Sequence, residues 1–481
     1  TPGVIVTKPP AAPFAMTATN ATTTNSAARP RFNFNAPVTP ERAAAGFSNQ
    51  LGRGYAIVTY RYTQCGADNA DFRNSSFYPA YPDYDWGVLL GWAWGCPAWW
   101  IISKRNRSRT RTSSSRWASG GSVVVVPAGN YLIGSIELKS HTTLRLEKDA
   151  RLLGSPDLDD YPVIKVRWEG KWIDGHRALI SAHDAEGIAV VGPGKISGNP
   201  ALSGRQMPRR PVIIEPIKCT NVQFEGFATE HRSIWSIHPT YCENVVAKNL
   251  TIRSTSGNGD GIDVDSCQHV RIEGCDIATG DDCIAIKSGR GVEGYRIAKP
   301  TEDVLISGCT LADSIFADIG IGSETSGGIR DVRIEHCNFV QARSCAIYIK
   351  SNTGRGAFIE DISARDLEVS TAPGGFLRVN LISSGIRDPE PVLGIEGIPS
   401  AKNFSFSNVK VDCGTLVDAA AISPVKPING FSLADISGTC KKAITLANLT
   451  NAILRDIRVT GYTGPFLTQT NVQGTGLEAS K

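Results

Sequence analysis

From Ser122 onward the chain alternates apolar and polar residues in short stretches separated by Gly, Asn and Asp. Val123-Val-Val-Val126 reads as a buried strand, Pro127-Ala-Gly-Asn130 as a turn, and Tyr131–Leu138 as another strand. β-branched and aromatic residues at period two suit a pleat with one covered face. Such strands, with turn residues between them, continue to about residue 460. One alternation recurs: Asn221-Val-Gln-Phe-Glu-Gly226, Asn244-Val-Val-Ala-Lys-Asn249 and His269-Val-Arg-Ile-Glu-Gly274, then Asp303-Val-Leu-Ile-Ser-Gly308 and Asp331-Val-Arg-Ile-Glu-His336. Asn403-Phe-Ser-Phe-Ser-Asn408 and Asn451-Ala-Ile-Leu-Arg-Asp456 are weaker copies. The first steps are 23 and 25 residues, and later ones lengthen by insertions. A lone strand of this kind cannot bury its apolar face, whereas stacked copies bury a continuous core. The expected fold is therefore all-β, a single-stranded right-handed parallel β-helix with one coil per repeat. The Asn or Asp ahead of each strand fits the turn such a coil needs. An antiparallel sandwich would want hairpin turns every ~8 to 12 residues, and the repeat argues against it.

The pattern also divides the chain. Residues 1–60, rich in Ala, Thr, Asn and Pro at their start, read as a leader with one strand at Tyr55–Tyr60. Residues 61–119 fit no period: six of the nine tryptophans lie between Trp86 and Trp117, beside the Arg/Ser-rich run Ser103–Arg116. They are read as an irregular segment, with a basic polyanion-binding arm as the second reading. Residues 120–465 form the β-helix and 466–481 a C-terminal tail.

Composition narrows the function classes. A net charge of +4 over 481 residues is small and evenly spread, which gives no case for a nucleic-acid partner and suits a polyanionic substrate weakly. No apolar run approaches the roughly 18 to 20 residues of a membrane span, so no membrane partner is expected. The leader composition resembles that of an exported protein, and a secreted or periplasmic location is expected for a chain whose signal has been removed. The 12 cysteines make no CxxC pair, which argues against a zinc ribbon. Cys219 and Cys242 open repeats while Cys275, Cys309 and Cys337 close them. They read as buried, stacked small hydrophobes, although an oxidising compartment would also allow disulfides.

The chemistry concentrates in Gly257–Asp265 and in Thr279-Gly-Asp-Asp-Cys283. Asp260 and Asp282 are 22 residues apart, and counting the same step back from Asp260 reaches His238. Residues one coil apart lie ~4.8 Å apart along the axis, so His238, Asp260 and Asp282 are expected in one outward patch. Asp281 and Asp282 would point to opposite faces of a regular strand, and Gly280 could free the backbone to bring both to a cleft. Clustered carboxylates repel, and at least one should hold its proton to a higher pH, as a general acid requires. Gly-Asp pairs are also ordinary turn chemistry, and Asp263 and Asp265 are taken as turn or ladder residues.

Residues from about 120 to 460 resemble the pectin-degrading glycoside hydrolases that include the polygalacturonases, glycoside hydrolase family 28. The resemblance rests on Val125-Val-Pro-Ala-Gly-Asn-Tyr131, Ser233-Ile-Trp-Ser-Ile-His-Pro239, Asn258-Gly-Asp-Gly-Ile-Asp263, Gly280-Asp-Asp-Cys283, Ile321-Gly-Ser-Glu-Thr-Ser-Gly-Gly328 and Ile349-Lys-Ser-Asn352, in the family's order. It implies inverting hydrolysis of α-1,4-linked galacturonic acid, in pectic polysaccharide or oligogalacturonide, with no metal; no cofactor and a monomer are expected. Asp281 then resembles the general acid, and Asp260 and Asp282 the pair that activates water. Inversion keeps acid and base roughly 6.5 to 9.5 Å apart, a separation that neighbouring coils can provide. Lys350 is the candidate partner for a galacturonate carboxylate. Arg355 and Lys287 are candidates for further positive charge, Trp235 for a sugar floor, and His238 for a partial replacement of the family's histidine.

Two positions depart from the family. Its Gly-His-Gly reads Phe316-Ala-Asp318, and its Arg-Ile-Lys reads Tyr348-Ile-Lys350. Two other classes therefore stay open: a pectin-binding protein that has lost catalysis, and a β-helix polysaccharide lyase, whose C5-proton abstraction commonly uses calcium and an Arg or Lys base.

Overall fold

The computed structural model describes residues 122–478 except 203–207, 232–233, 256 and 373, together with the backbone of Tyr55–Thr59 and Trp99–Ser103. The chain winds into a right-handed parallel β-helix whose strands stack in three ladders. One ladder runs through Glu186–Val191, Thr220–Glu225, Glu243–Lys248, Gln268–Glu273, Thr301–Ser307 and Ile329–Glu335. A second follows through Lys195–Ser197, Ala228–His231, Thr251–Ser254, Asp276–Ala278, Thr310–Ala312 and Asn338–Val340. The third holds Ile262–Asp265, Ile284–Lys287, Ile319–Ile321, Ile347–Lys350 and Leu377–Asn380.

The sequence repeat is the first ladder, and its logic is visible in the backbone. Its leading residues Asn221, Asn244, His269, Asp303, Asp331, Asn403 and Asn451 all lie in the left-handed region, with φ between 51° and 58°. Short polar side chains tolerate that region best after glycine. Their side chains then bond from coil to coil, as between Asn244 Nδ2 and Asn221 Oδ1 at 3.2 Å. Asp361, with φ 57°, opens a further copy that its weaker sequence hides, and it accepts from Asn403 Nδ2 at 2.8 Å. Two residues into each copy, Val222, Val245, Val270, Val304, Val332, Ile362, Phe404 and Phe431 stack in register inside the coil. All eight are buried, each worth ~1.5–3 kcal/mol of burial. The ten cysteines of the described residues are likewise buried and free.

Two differences from the sequence reading follow. Leu467–Thr475 is not a tail but a strand paired parallel with Ile428–Thr460, so the helix runs past residue 465. The strand expected at Tyr55–Tyr60 occurs as Tyr55–Thr59, and it pairs antiparallel with Trp99–Ser103 from the segment read as irregular. The basic run beyond Ser103 lies outside the described residues. Among the described residues no helix is long and apolar enough to cross a membrane.

Two excursions from the coils stand beside the third ladder: the antiparallel hairpin Val163–Trp168/Lys171–His176 and the helix Gly291–Ile297. Buried ion pairs join them to the ladder. Arg167 Nε donates to Asp265 at 3.0 Å and its Nη1 to Glu293 at 2.9 Å. Asp388, in the loop after Asn380, sits among Lys171 at 3.1 Å, Arg290 at 3.2 Å and Arg355 at 3.8 Å.

Candidate active site

The acidic residues enter at the start of third-ladder strands. Asp260 precedes Ile262–Asp265, and Asp281-Asp282 precede Ile284–Lys287. The register Ile262↔Ile284 places Asp260 and Asp282 one coil apart, as their 22-residue spacing implies. Gly261 N donates to Asp282 O at 3.0 Å. A Cβ on Gly261 would collide with Cys283 O, so only glycine lets the two coils approach here. Asp281 is held by a turn rather than by the strand. Thr279 Oγ1 donates to its carbonyl at 2.7 Å, and its own Oδ1 accepts from Asp282 N at 2.9 Å. That turn brings both neighbours to one side.

One oxygen from each of Asp260, Asp281 and Asp282 falls within 4.8 Å of the others. Such a cluster separates proton affinities. Burial, then Asp260 and Asp282, push the Asp281 carboxyl up to about 9. Asp260 rises to about 6, through burial against the pull of Lys287, and then through Asp282. Asp282 is held by Lys350, whose Nζ donates to its Oδ2 at 2.6 Å, while its buried Oδ1 has no protein donor. Gly320 makes that reach feasible. A Cβ there would collide with Asp282 Oδ2 and lie 3.1 Å from Lys350 Nζ. Three carboxylates this close could also hold a divalent cation, but ammonium groups already contact Asp282 and Asp260 and compete for their charge.

The family model described as glycosyl hydrolases family 28 matches residues 119–373, slightly more than half of the chain. A probable polygalacturonase from Vitis vinifera is 36% identical over 339 residues, covering 66% of this chain and 67% of that protein. The chain belongs to glycosyl hydrolase family 28. It is a polygalacturonase-type glycosidase. Among solved structures, an exopolygalacturonase from Thermotoga maritima is 25% identical, covers 74% of this chain and 84% of its own, and superposes with TM-score 0.55. A family 28 exopolygalacturonase from Yersinia enterocolitica is 19% identical, covers 74% and 73%, and shares the fold at TM-score 0.65.

Within this family 28 scaffold, the other residues singled out from sequence fall into different places. His238 is not in the Asp260 column. The coil from Ile237 to Ile262 is 25 residues, so His238 lies one coil from Asp263 instead. It is buried, and its Nδ1 meets Glu215 Oε1 at 3.0 Å, where Arg209 also binds Glu215 with two donors at 2.9 and 2.8 Å. Burial lowers the imidazole pKa, although Glu215 opposes this. Trp235 is not an open floor. It is buried, stacked on Trp168 with centroids 5.1 Å apart.

Lys287 and Arg355, the candidates for further positive charge, are both buried. Lys287 is buried between Asp263 and Asp260, the latter at 3.5 Å, with its Nζ 4.3 Å from the Trp235 ring centroid. Arg355 is buried and donates to Ser323 O at 3.0 Å and Ile386 O at 2.7 Å. Lys350, the candidate partner for a galacturonate carboxylate, is mostly covered and binds Asp282.

Two residues were passed over. Asp263 belongs to the charge cluster on Lys287, and burial followed by Asp260 raises its carboxyl far above the usual range. Its signal was the outward alternation Ile-Asp-Val-Asp, one coil below Ala285 and Lys287. Glu324 is buried nearby. Burial raises its pKa, but Lys287, Arg355 and Lys350 outweigh that and hold it low; from sequence it was one letter in a family motif.

The two departures sit at the site itself. Ala317 follows Asp282 one coil on and is buried, and the neighbouring Phe316 is 50% exposed beside the Asp281 row. Tyr348 accepts a hydrogen bond from Ser384 Oγ at 3.1 Å. A separate cavity of about 640 Å³ opens behind Thr279-Gly280, near Arg253, Ile315 and Arg343, and none of the three carboxylates lines it.

Proposed function

We propose that this chain hydrolyses α-1,4-linked galacturonic acid in pectic polysaccharide or oligogalacturonides with inversion at the anomeric carbon. Asp281 acts as general acid, and Asp260 and Asp282 activate the water. The observation that carries the reading is the separation of proton affinity within one cluster. Asp281, held to about 9, keeps its proton at neutral pH, whereas Asp260, at about 6, has lost its own. That is the pairing of acid and base that glycoside cleavage needs. Asp282, oriented by Lys350 and with Oδ1 unclaimed by protein, can share the water with Asp260 from the adjacent coil. Lys350 has donors beyond the one given to Asp282 and remains the candidate for a substrate carboxylate. The relatives' printed names, polygalacturonase and exopolygalacturonase, support the substrate class. We place the enzyme outside the cytoplasm, as a monomer that meets its polymer there.

One distance bears on stereochemistry. The nearest oxygens lie within 4.8 Å, closer than the ~6.5–9.5 Å usual for inversion. The deciding measurement is the anomer of the first-formed product, read by proton NMR during turnover of polygalacturonate. Inversion delivers the β-anomer. A first-formed α-anomer would make one carboxylate a nucleophile and overturn the water role. Asp281→Asn should lose at least ~10³-fold in new reducing ends, and full activity in that variant removes the assigned acid. Binding of galacturonan without turnover across a pectin panel would favour the non-catalytic alternative, for which Ala317 and Tyr348 are the motive.

A further inference from the structure

We propose that Arg378 is the carboxylate-binding residue of a distal subsite, three coils along the outward face of the third ladder from Asp282, which selects oligomers over disaccharides. The inference rests on the galacturonan reading above.

One column on the outward face of the third ladder runs Asp263, Ala285, Gly320, Tyr348, Arg378 and Asp418, each in register with the next. Its first member lies in the catalytic cluster and Arg378 lies near its other end. Counted in coils, Asp282 is followed by the rows of Ala317, Cys345 and Gly375, and Arg378 belongs to the last. At ~4.8 Å per coil that is ~14 Å along the axis from Asp282. A disaccharide centred on the catalytic carboxylates ends short of it, and a longer chain lying along the ladder reaches it.

The nearer cations are buried or serve the catalytic cluster. Lys287 is buried on Asp260 and Asp263, Lys350 donates to Asp282, and Arg355 is buried on two backbone carbonyls. Arg378 differs in exposure and in partner. Its side chain is 46% exposed, and its ion pair with an equally exposed Asp418 is 3.9 Å long. A pair of that length and exposure holds an arginine weakly. The guanidinium is nevertheless positioned, because it lies 5.1 Å from the centroid of the Tyr348 ring, which Ser384 Oγ tethers through the tyrosine hydroxyl. A guanidinium laid against an aromatic ring keeps its edge donors free for a bidentate carboxylate. A uronate entering the site would displace Asp418 from that edge. Thus the tyrosine at the family's arginine position supports a cation supplied one coil further on.

The test compares kcat and KM on galacturonic acid oligomers from dimer to pentamer for wild type, Arg378→Gln, Arg378→Lys and Asp418→Asn. Arg378→Gln should raise KM about tenfold for the longer oligomers, the size of one charge-assisted hydrogen bond, with kcat and the dimer unchanged. Arg378→Lys should restore part of the loss. Asp418→Asn, which removes the competing carboxylate, should lower KM for the same oligomers. Equal losses on dimer and pentamer, or no change at any length, overturn the subsite. Calorimetric titration of pentamer and dimer into Asp281→Asn, with and without Arg378→Gln, separates this inference from the proposed reaction. A length-dependent loss of affinity, where the wild-type chain turns over no galacturonan, keeps the subsite and removes the hydrolysis. Turnover with length-independent affinity does the reverse, and no binding of any oligomer removes both.

Discussion

Replacing Asp260 by Asn should stabilise the protein while abolishing its turnover, and the site's own electrostatics set the size of the gain. Asp260 is 3% exposed, and its carboxyl is raised from 3.8 to about 6 by burial, against Lys287, and then by Asp282. At ~1.4 kcal/mol per tenfold change in proton affinity, ionising it in the folded rather than the unfolded chain costs on the order of 3 kcal/mol. The folded value lies above the unfolded one, so the proton-linked stability is whole below pH 3.8 and is lost as pH rises through about 6. Asparagine keeps the shape and never ionises, and Lys287 retains Asp263 as partner. The variant should therefore match wild type at pH about 3.5 and exceed it by up to about 3 kcal/mol at pH about 7.5. Urea unfolding across that range, with unchanged m-values, measures the difference directly. Loss of the proposed base should at the same time lower kcat by ~10³-fold or more. No gain at pH about 7.5, or an equal gain at pH about 3.5, would refute the argument that repulsion and burial are stored at this carboxylate for catalysis.

Two further outcomes test the same site. The pH dependence of kcat/KM should be bell-shaped, rising through about 6 as Asp260 loses its proton and falling through about 9 as Asp281 loses its own. Because the carboxylates interact, both limbs belong to the cluster rather than to single residues; a profile that keeps climbing beyond pH about 10 contradicts the acid assignment. Gly320→Ala should lower kcat by ~10²-fold with little change in unfolding midpoint, since its methyl would push Lys350 Nζ and Asp282 Oδ2 apart; full activity would show that this pair is dispensable.

The coils were legible because their information is local. A left-handed Asn or Asp, an alternating strand and a closing Gly or Asn recur within a few residues of each other, and the stacking follows from the need to cover an apolar face. The Asp260–Asp282 column was legible for the same reason: between Ile262 and Ile284 the coil has no insertion. The same counting failed for His238, where three extra residues enter between Ile237 and Ile262 and shift the row. It failed again at the end of the chain, where the alternation weakens but Leu467–Thr475 still pairs.

Thus the sequence by itself determined the β-helix, the placement of two catalytic-type carboxylates one coil apart, and, through its motifs, the family. Only the tertiary structure decided which charges answer them. Lys350 reaches Asp282 from two rows away across a glycine, Lys287 turns inward to Asp260 and Asp263 under Trp235, and Arg167 arrives at Asp265 from a hairpin 98 residues earlier. Repeat and alternation constrain backbone position along one strand and its neighbours. The direction of a long charged side chain depends on what lies beside it in space, and burial then turns each such choice into a proton affinity.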